Sequence, residues 1–289
     1  MTEKTSLKVG LIGADIQLSK TPAMHMREGA AHGIAYDYEL IDINTRHVPE
    51  SALPDLLDEA ESRGFAGVNI THPFKQRVIG LLHDLSEDAR MLGAVNTVVF
   101  RDGKRTGHNT DWYGFYESFK RGLPDEKRDR VLLIGAGGAG VAVAHAALKL
   151  EIGHLDILDQ DISRARQLAD QLNARFGTPR AFAVESAESS LPHADGLIHA
   201  TPTGMPAHPG IPVPASLIEA RHWVADIVYM PLVTELLAQA TRKGCKVLPG
   251  GGMAVFQAVD AFRLFSGKEP DPERMSAHFN ELCMNEAAA

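Results

Sequence analysis

The segment from Arg130 to Asp159 constrains the fold more than any other part of the chain. Arg130-Val-Leu-Leu-Ile-Gly135 is an apolar, β-branched run of the kind that forms a strand buried on both faces. Gly135-Ala136-Gly137-Gly138-Ala139-Gly140 follows it and leads into Val141 to Leu150, an alanine-rich helix without a breaker. His154 to Asp159 is a second apolar strand, ending on a carboxylate. The first glycine of the loop permits a tight strand-to-helix turn. The second lets backbone N–H groups approach a pyrophosphate at the helix N-terminus, and the third lets helix and strand pack closely. A strand before the loop, a helix after it and an acid about 20 residues on distinguish a dinucleotide-binding fingerprint from an ordinary glycine-rich turn. Gly135, Ala136, Gly137, Gly138 and Ala139 are therefore expected to touch the cofactor. Asp159 would accept hydrogen bonds from the adenosine ribose and repel a 2′-phosphate, and Asp161 adds a second negative charge. NAD is expected over NADP, with Arg164 and Arg166 the groups able to turn back toward a phosphate.

Around this segment the chain reads as α/β throughout. Before it come strands at Lys8–Gly13, Tyr36–Ile43, Gly67–Thr71 and Ala94–Phe100, with helices between them. Thr21 is expected to cap the first helix with Pro22 at its first position, and Pro73 to open the helix that carries Lys75. This β-α alternation implies a mostly parallel sheet covered by helices. The last two helices, Gly252–Phe265 and Pro272–Met284, have no strand between them, so they are expected to return to the first domain. Two domains result: residues 1–108, completed by 251–289, and a Rossmann-type domain over 109–250. The tail Ala287–Ala289 is expected to be disordered.

Composition narrows the function. A formal net charge of −8 disfavours nucleic acid and anionic membranes as partners. Two cysteines are too few for a disulfide framework, and the 13 histidines show neither H-E-x-x-H nor cysteine pairs, so no metal is expected. The N-terminus lacks a signal-peptide core and no apolar run approaches a membrane span, so the expected location is cytoplasmic. Polar groups cluster at expected strand ends in Leu18–Pro22, Asn69–Lys75 and Gly107–Asp111, with Asn96 nearby. Each residue taken alone reads as readily as a surface charge or a turn.

Together these stretches resemble the shikimate dehydrogenase family, and within it the quinate/shikimate dehydrogenase branch. The resemblance runs from Gly10 to Gly267. It includes Leu18–His25, Gly67–Lys75, Gly93–Thr97, Gly107–Asp111, the glycine loop, Ala200–Met205, Asp226–Pro231 and Gly252–Ala258. It implies a catalytic pair, Lys75 and Asp111, and a substrate (shikimate, and quinate beside it) held by Ser19, Thr21, Asn69, Thr71, Asn96, Tyr229 and Gln257. Thr201, Met205, Val228 and Gly252 would lie near the cofactor, with Arg164 beside its adenosine end. The reaction implied is oxidation of the C3 hydroxyl with NAD, by a monomer or homodimer. Three positions depart from the family's common pattern. Thr21 stands where a second serine is usual, Met26 replaces an asparagine, and Asp159-Gln-Asp161 stands where the NADP-linked biosynthetic enzymes carry Asn-Arg-Thr. The alternatives are an NADP-linked biosynthetic enzyme, a dehydrogenase of a related acid such as aminoshikimate, and a module that senses NAD without chemistry.

Overall fold

The computed structural model describes residues 6–287 and divides them into two compact units, which meet in sequence at Thr110/Asp111 and Phe256/Gln257. Ala287 is the last residue of a helix, while residues 288 and 289 of the expected tail lie outside the described residues.

The first unit holds β1 (Ser6–Gly13), α1 (Thr21–Ala31), β2 (Ala35–Asp42), α2 (Leu53–Ser62), β3 (Gly67–Ile70), β4 (Asp84–Leu85), α3 (Glu87–Leu92), β5 (Thr97–Arg101) and β6 (Lys104–His108). Its sheet runs β2-β1-β3-β5-β6-β4. The strand pairs β1/β2 and β1/β3 are parallel. Antiparallel pairing then enters at β3/β5 and at the hairpin β5/β6, whose turn places Asp102 and Gly103 at positive φ. The sheet is thus mixed: a tight hairpin can only join antiparallel strands.

Two local expectations are corrected. Lys20, not Thr21, occupies the N-cap of α1; Thr21 is already helical, and no side chain caps the end. No α-helix begins at Pro73. Lys75 lies in a turn that leads to a short 3₁₀ helix, Arg77–Leu81. Val78, Ile79 and Gly80 are poor helix formers, and five residues cannot repay helix nucleation.

The second unit begins with α4 (Asp111–Gly122). It continues through β7 (Arg130–Ile134), α5 (Gly138–Lys149), β8 (His154–Leu158), α6 (Ile162–Phe176), β9 (Ala181–Ala183), α7 (Ala187–Ser190), β10 (Gly196–His199), β11 (Trp223–Asp226), α8 (Glu235–Arg242) and β12 (Lys246–Leu248). Every strand pair in the order β12-β11-β10-β7-β8-β9 is parallel, and order reverses at β7, as in a doubly wound Rossmann sheet. Helix α9 (Gly251–Ser266) passes from this unit to the first, and α10 (Pro272–Ala287) belongs wholly to the first.

The returning helices are held by packing and by charge. Phe262 stacks on Tyr36 with ring centroids 5.3 Å apart and lies fully buried. Buried Glu28 of α1 accepts two hydrogen bonds from Arg274 of α10, at 2.6 and 2.7 Å, and one from the Asp271 N–H. Beside them His25 is buried among Tyr36, Tyr38, Phe262 and Phe265, and burial pushes its pKa down to about 3. Between that value and the ordinary 6.5, the unfolded chain binds a proton that the folded chain refuses, so stability falls as pH falls through this window. In urea unfolding, the loss from pH 7 to pH 5 should be smaller by about 2 kcal/mol in His25→Phe than in the parent. Equal losses would show that His25 titrates alike in both states.

Candidate functional site

In the first unit the polar side chains gather where β1 and β3 end and the antiparallel β5 begins. Asn69 pairs with Leu11 on one side and Thr97 on the other. Its Oδ1 accepts from the Tyr38 hydroxyl at 2.8 Å, while Nδ2 donates to Thr97 Oγ1 at 2.9 Å and to the Asn96 carbonyl at 3.3 Å. Both amide hydrogens are thereby used within the fold, and the remaining capacity of Asn69 is a lone pair on Oδ1 able to accept a hydroxyl. Asn96 Oδ1 accepts from the Thr110 N–H at 2.7 Å and Nδ2 donates to Thr110 Oγ1, which fixes the backbone immediately before Asp111. Asn109 Nδ2 donates to the Ala94 carbonyl.

The loop carrying Ser19 is held from below by buried Asp42, whose carboxylate accepts from the Ile16 N–H at 3.1 Å and from Gln17 Nε2 at 3.0 Å. Ser19 Oγ in turn accepts from the Thr21 N–H at 3.4 Å. Thr71 extends β3 through its N–H, bonded to the Ile12 carbonyl. Lys75 follows fully buried Phe74, and its carbonyl accepts from the Val95 N–H at 2.7 Å. Ser19, Thr21, Thr71, Lys75 and Gln257 are all half-buried, Asn69 and Asn96 buried. The unit therefore presents hydroxyls, amides and a lysine on strand ends and on the loop, turn and helices beside them, a set suited to a polyhydroxylated acid.

In the second unit the glycine loop fits its expected roles closely. Gly135 has φ +107°, open to glycine alone, and its N–H donates to the Leu158 carbonyl. A Cβ on Gly140 would stand 2.0 Å from the Gly135 carbonyl oxygen, so helix and strand touch there. Around Gly137 and Gly138, by contrast, a Cβ would meet open space. No side chain caps α5 at Gly137, which leaves its first N–H groups directed outward, as an anionic pyrophosphate requires. Asp159 is fixed by the Ala136 N–H at 2.7 Å and the Asp161 N–H at 2.9 Å, one to each oxygen. Each oxygen keeps a lone pair for a ribose hydroxyl. Arg164 is mostly exposed and lies 3.6 Å from the Asp161 carboxylate, while Arg166 lies 3.7 Å from Glu185.

Gly137, Gly138 and Ala139 form one side of a cavity of about 390 Å³, completed by Ala200–Pro202, Met205 and Ile227–Met230. Thr201, Met205, Val228 and Tyr229 are brought together there with the loop, from three separate stretches of sequence. The cavity is a size that takes a ring. Glycines open outward, an uncapped helix end, a fixed carboxylate and an apolar slot fit a nicotinamide dinucleotide. Gly252 sits apart from this lining. A Cβ there would reach within 2.2 Å of Ser118 Oγ, so it serves the packing of α9 on α4. The sequence reading passed over Pro202, Ile227 and Met230, whose side chains carry no chemical signal, and over the buried pair His199 and Asp226. Asp226 could have been suspected as a carboxylate closing an otherwise apolar strand.

Residues 11–98 match the family described as shikimate dehydrogenase substrate binding domain, and residues 120–211 match the alanine dehydrogenase/PNT C-terminal domain. A shikimate dehydrogenase (NADP(+)) of Streptomyces avermitilis is 55% identical, over 98% of this chain and 97% of the relative. A quinate/shikimate dehydrogenase (NAD(+)) of Corynebacterium efficiens is 49% identical, over 96% of this chain and 99% of the relative. Among solved structures, quinate dehydrogenase from Corynebacterium glutamicum in complex with NAD superposes with a TM-score of 0.92 at 48% identity, covering 96% of this chain and 99% of that one.

Proposed function

We propose that the chain, which belongs to the shikimate dehydrogenase family and oxidises shikimate with a nicotinamide dinucleotide, uses NAD in preference to NADP and accepts quinate as a second substrate. The observation that carries the cofactor choice is Asp159, held by the Ala136 and Asp161 N–H groups with Asp161 beside it. A 2′-phosphate there would face two carboxylates. The cation nearest in sequence, Arg164, is drawn toward one of them. The relative named for NADP(+) is 55% identical and the one named for NAD(+) 49%, so the reading rests on the local chemistry of this loop.

In the proposed reaction Asn69 accepts a substrate hydroxyl at Oδ1, and Ser19, Thr21, Thr71, Asn96, Tyr229 and Gln257 complete the contacts to hydroxyls and carboxylate. Lys75 and Asp111 together take up the proton of the C3 hydroxyl. Bound nicotinamide supplies the hydride acceptor, so the products are the 3-dehydro acid and reduced cofactor. Substrate binding is assigned to residues 1–108 with 251–289, cofactor binding to 109–250. The same proposal places the enzyme in the cytoplasm, as a monomer or homodimer. Both cysteines are free thiols, and among the described residues no helix is long and apolar enough to cross a membrane.

The test is steady-state oxidation of shikimate and quinate, each with NAD and with NADP. NAD should exceed NADP in kcat/KM by at least tenfold, and Asp159→Ser should shrink that margin by about tenfold, about 1.4 kcal/mol of differential binding. An NADP preference in the parent would mean that Arg164 or Arg166 outweighs Asp159. Activity on shikimate alone would remove quinate.

A further inference from the structure

Both walls of the cavity are suspended from one buried carboxylate. Asp226 closes β11 and is 2% exposed; His199 closes β10, fully buried, and pairs with it in register. Asp226 Oδ1 accepts from His199 Nδ1 at 2.9 Å and from the Val228 N–H at 3.0 Å. Its other oxygen accepts from the Thr234 hydroxyl at 2.7 Å, and Thr234 caps α8. A carboxylate can only accept, so His199 Nδ1 carries a hydrogen and donates it to Asp226. Thr201 Oγ1 lies 2.5 Å from His199 Nε2 and 3.1 Å from Thr203 Oγ1, so these bonds turn the Thr201 methyl to a set direction. The Thr203 N–H donates to the same Thr201 oxygen at 3.3 Å.

We propose that Asp226 and His199 act as a clamp for the nicotinamide ring: positioning residues that set the separation of the Thr201 wall from the Val228 wall. This rests on the assignment of the cavity to the nicotinamide end of the cofactor. The two walls follow different strands and share no covalent link shorter than the intervening chain. Two mobile loops would close on each other or splay. Asp226 grips one through the Val228 N–H and the other through His199 and Thr201, and the α8 cap keeps the carboxylate from turning. His199, Val228 and Thr234 are buried with it, so the three bonds to the carboxylate are not traded against water. The clamp does not touch the adenosine end, which is held by the glycine loop and Asp159.

This separation makes the proposal testable by binding alone. Thr201→Val keeps the shape of the side chain but removes the hydroxyl; Thr201→Ser keeps the hydroxyl. NADH binding is read by its fluorescence, and ADP-ribose, which lacks the nicotinamide, is read by competition. Thr201→Val should raise the NADH dissociation constant about tenfold and leave that of ADP-ribose within twofold. Thr201→Ser should bind both as the parent does. His199→Asn, which can still reach Asp226 but not Thr201, should behave like Thr201→Val. The KM for shikimate should stay within twofold in all three.

Equal NADH affinity in parent, Thr201→Val and His199→Asn would overturn the clamp. So would a parallel loss of NADH and ADP-ribose affinity, which would mark general damage to the domain. A parent that bound ADP-ribose but gained nothing from the nicotinamide would instead refute the placement of the ring in this cavity.

Discussion

Lys75→Ala is expected to lower kcat for shikimate oxidation by ~10²–10⁴-fold, the range for losing a positioned proton-transfer group. The KM for shikimate should change only a few-fold, because the lysine acts chiefly on the charge that develops as the hydroxyl proton leaves. The local structure makes this variant informative. Lys75 sits between Phe74, fully buried, and a backbone bond from the Val95 N–H to its own carbonyl. Neither of these supports involves the lysine side chain. Measuring kcat, KM and the NADH dissociation constant on the same preparation separates chemistry from folding. An unchanged kcat would remove Lys75 from the reaction, and a lost NADH affinity would show that the variant had damaged more than the proton path.

The second large effect is structural. Gly140→Ala should destabilise the dinucleotide unit by about 3 kcal/mol or more, the upper end of the overpacking range. The added Cβ meets the Gly135 carbonyl oxygen at 2.0 Å and its carbon at 2.7 Å, both backbone atoms that no rotamer change can move. Either α5 lifts away from β7, or Gly135 rotates out of its positive-φ conformation and disturbs the turn that aims the Ala136 N–H at Asp159. A fall of roughly 6–12 °C in the melting temperature should accompany it. Gly138→Ala provides the contrast, since a Cβ there meets open space. Its melting temperature should match the parent within about 2 °C, the shift expected from a surface change. Because the added methyl points to the place proposed for pyrophosphate, cofactor affinity should fall. Equal melting temperatures for the two variants would refute the close approach at Gly140.

The legible part of the molecule is the part whose physics is local. A β-branched run, three glycines at fixed offsets, an alanine-rich helix and a carboxylate at a strand end specify β7, the loop, α5 and β8 without reference to anything distant. The same holds for the Ser86, Asp161 and Thr234 caps, each bonded to an N–H two or three residues on. Where a segment depends on what it pairs with, the reading weakens. In the first unit the alternation of strands and helices that makes most of its pairs parallel was visible, while the antiparallel pairing of β3 with β5 was not. The two-residue β4 has too few side chains to show a period, and Lys75 looked helical because Pro73 is as compatible with a helix start as with a turn.

The site divides along the same line. Residue chemistry alone pointed to the nucleotide loop, whereas the hydroxyls and amides around Asn69 and Asn96, and Lys75, drew their roles from the family resemblance of the short motifs that carry them. Which of those groups are consumed by the fold was invisible. Asn69 spends both amide hydrogens inside the first unit, Gly252 is needed by Ser118, and the cavity walls hang on Asp226, 27 residues from the histidine it binds. Amino-acid order thus determined the α/β class, the nucleotide turn and the family. Tertiary structure alone decided which polar groups are satisfied within the protein and which remain for a ligand. A buried hydrogen bond joins residues brought together only when the sheet has formed, and no local pattern in the chain records that partner.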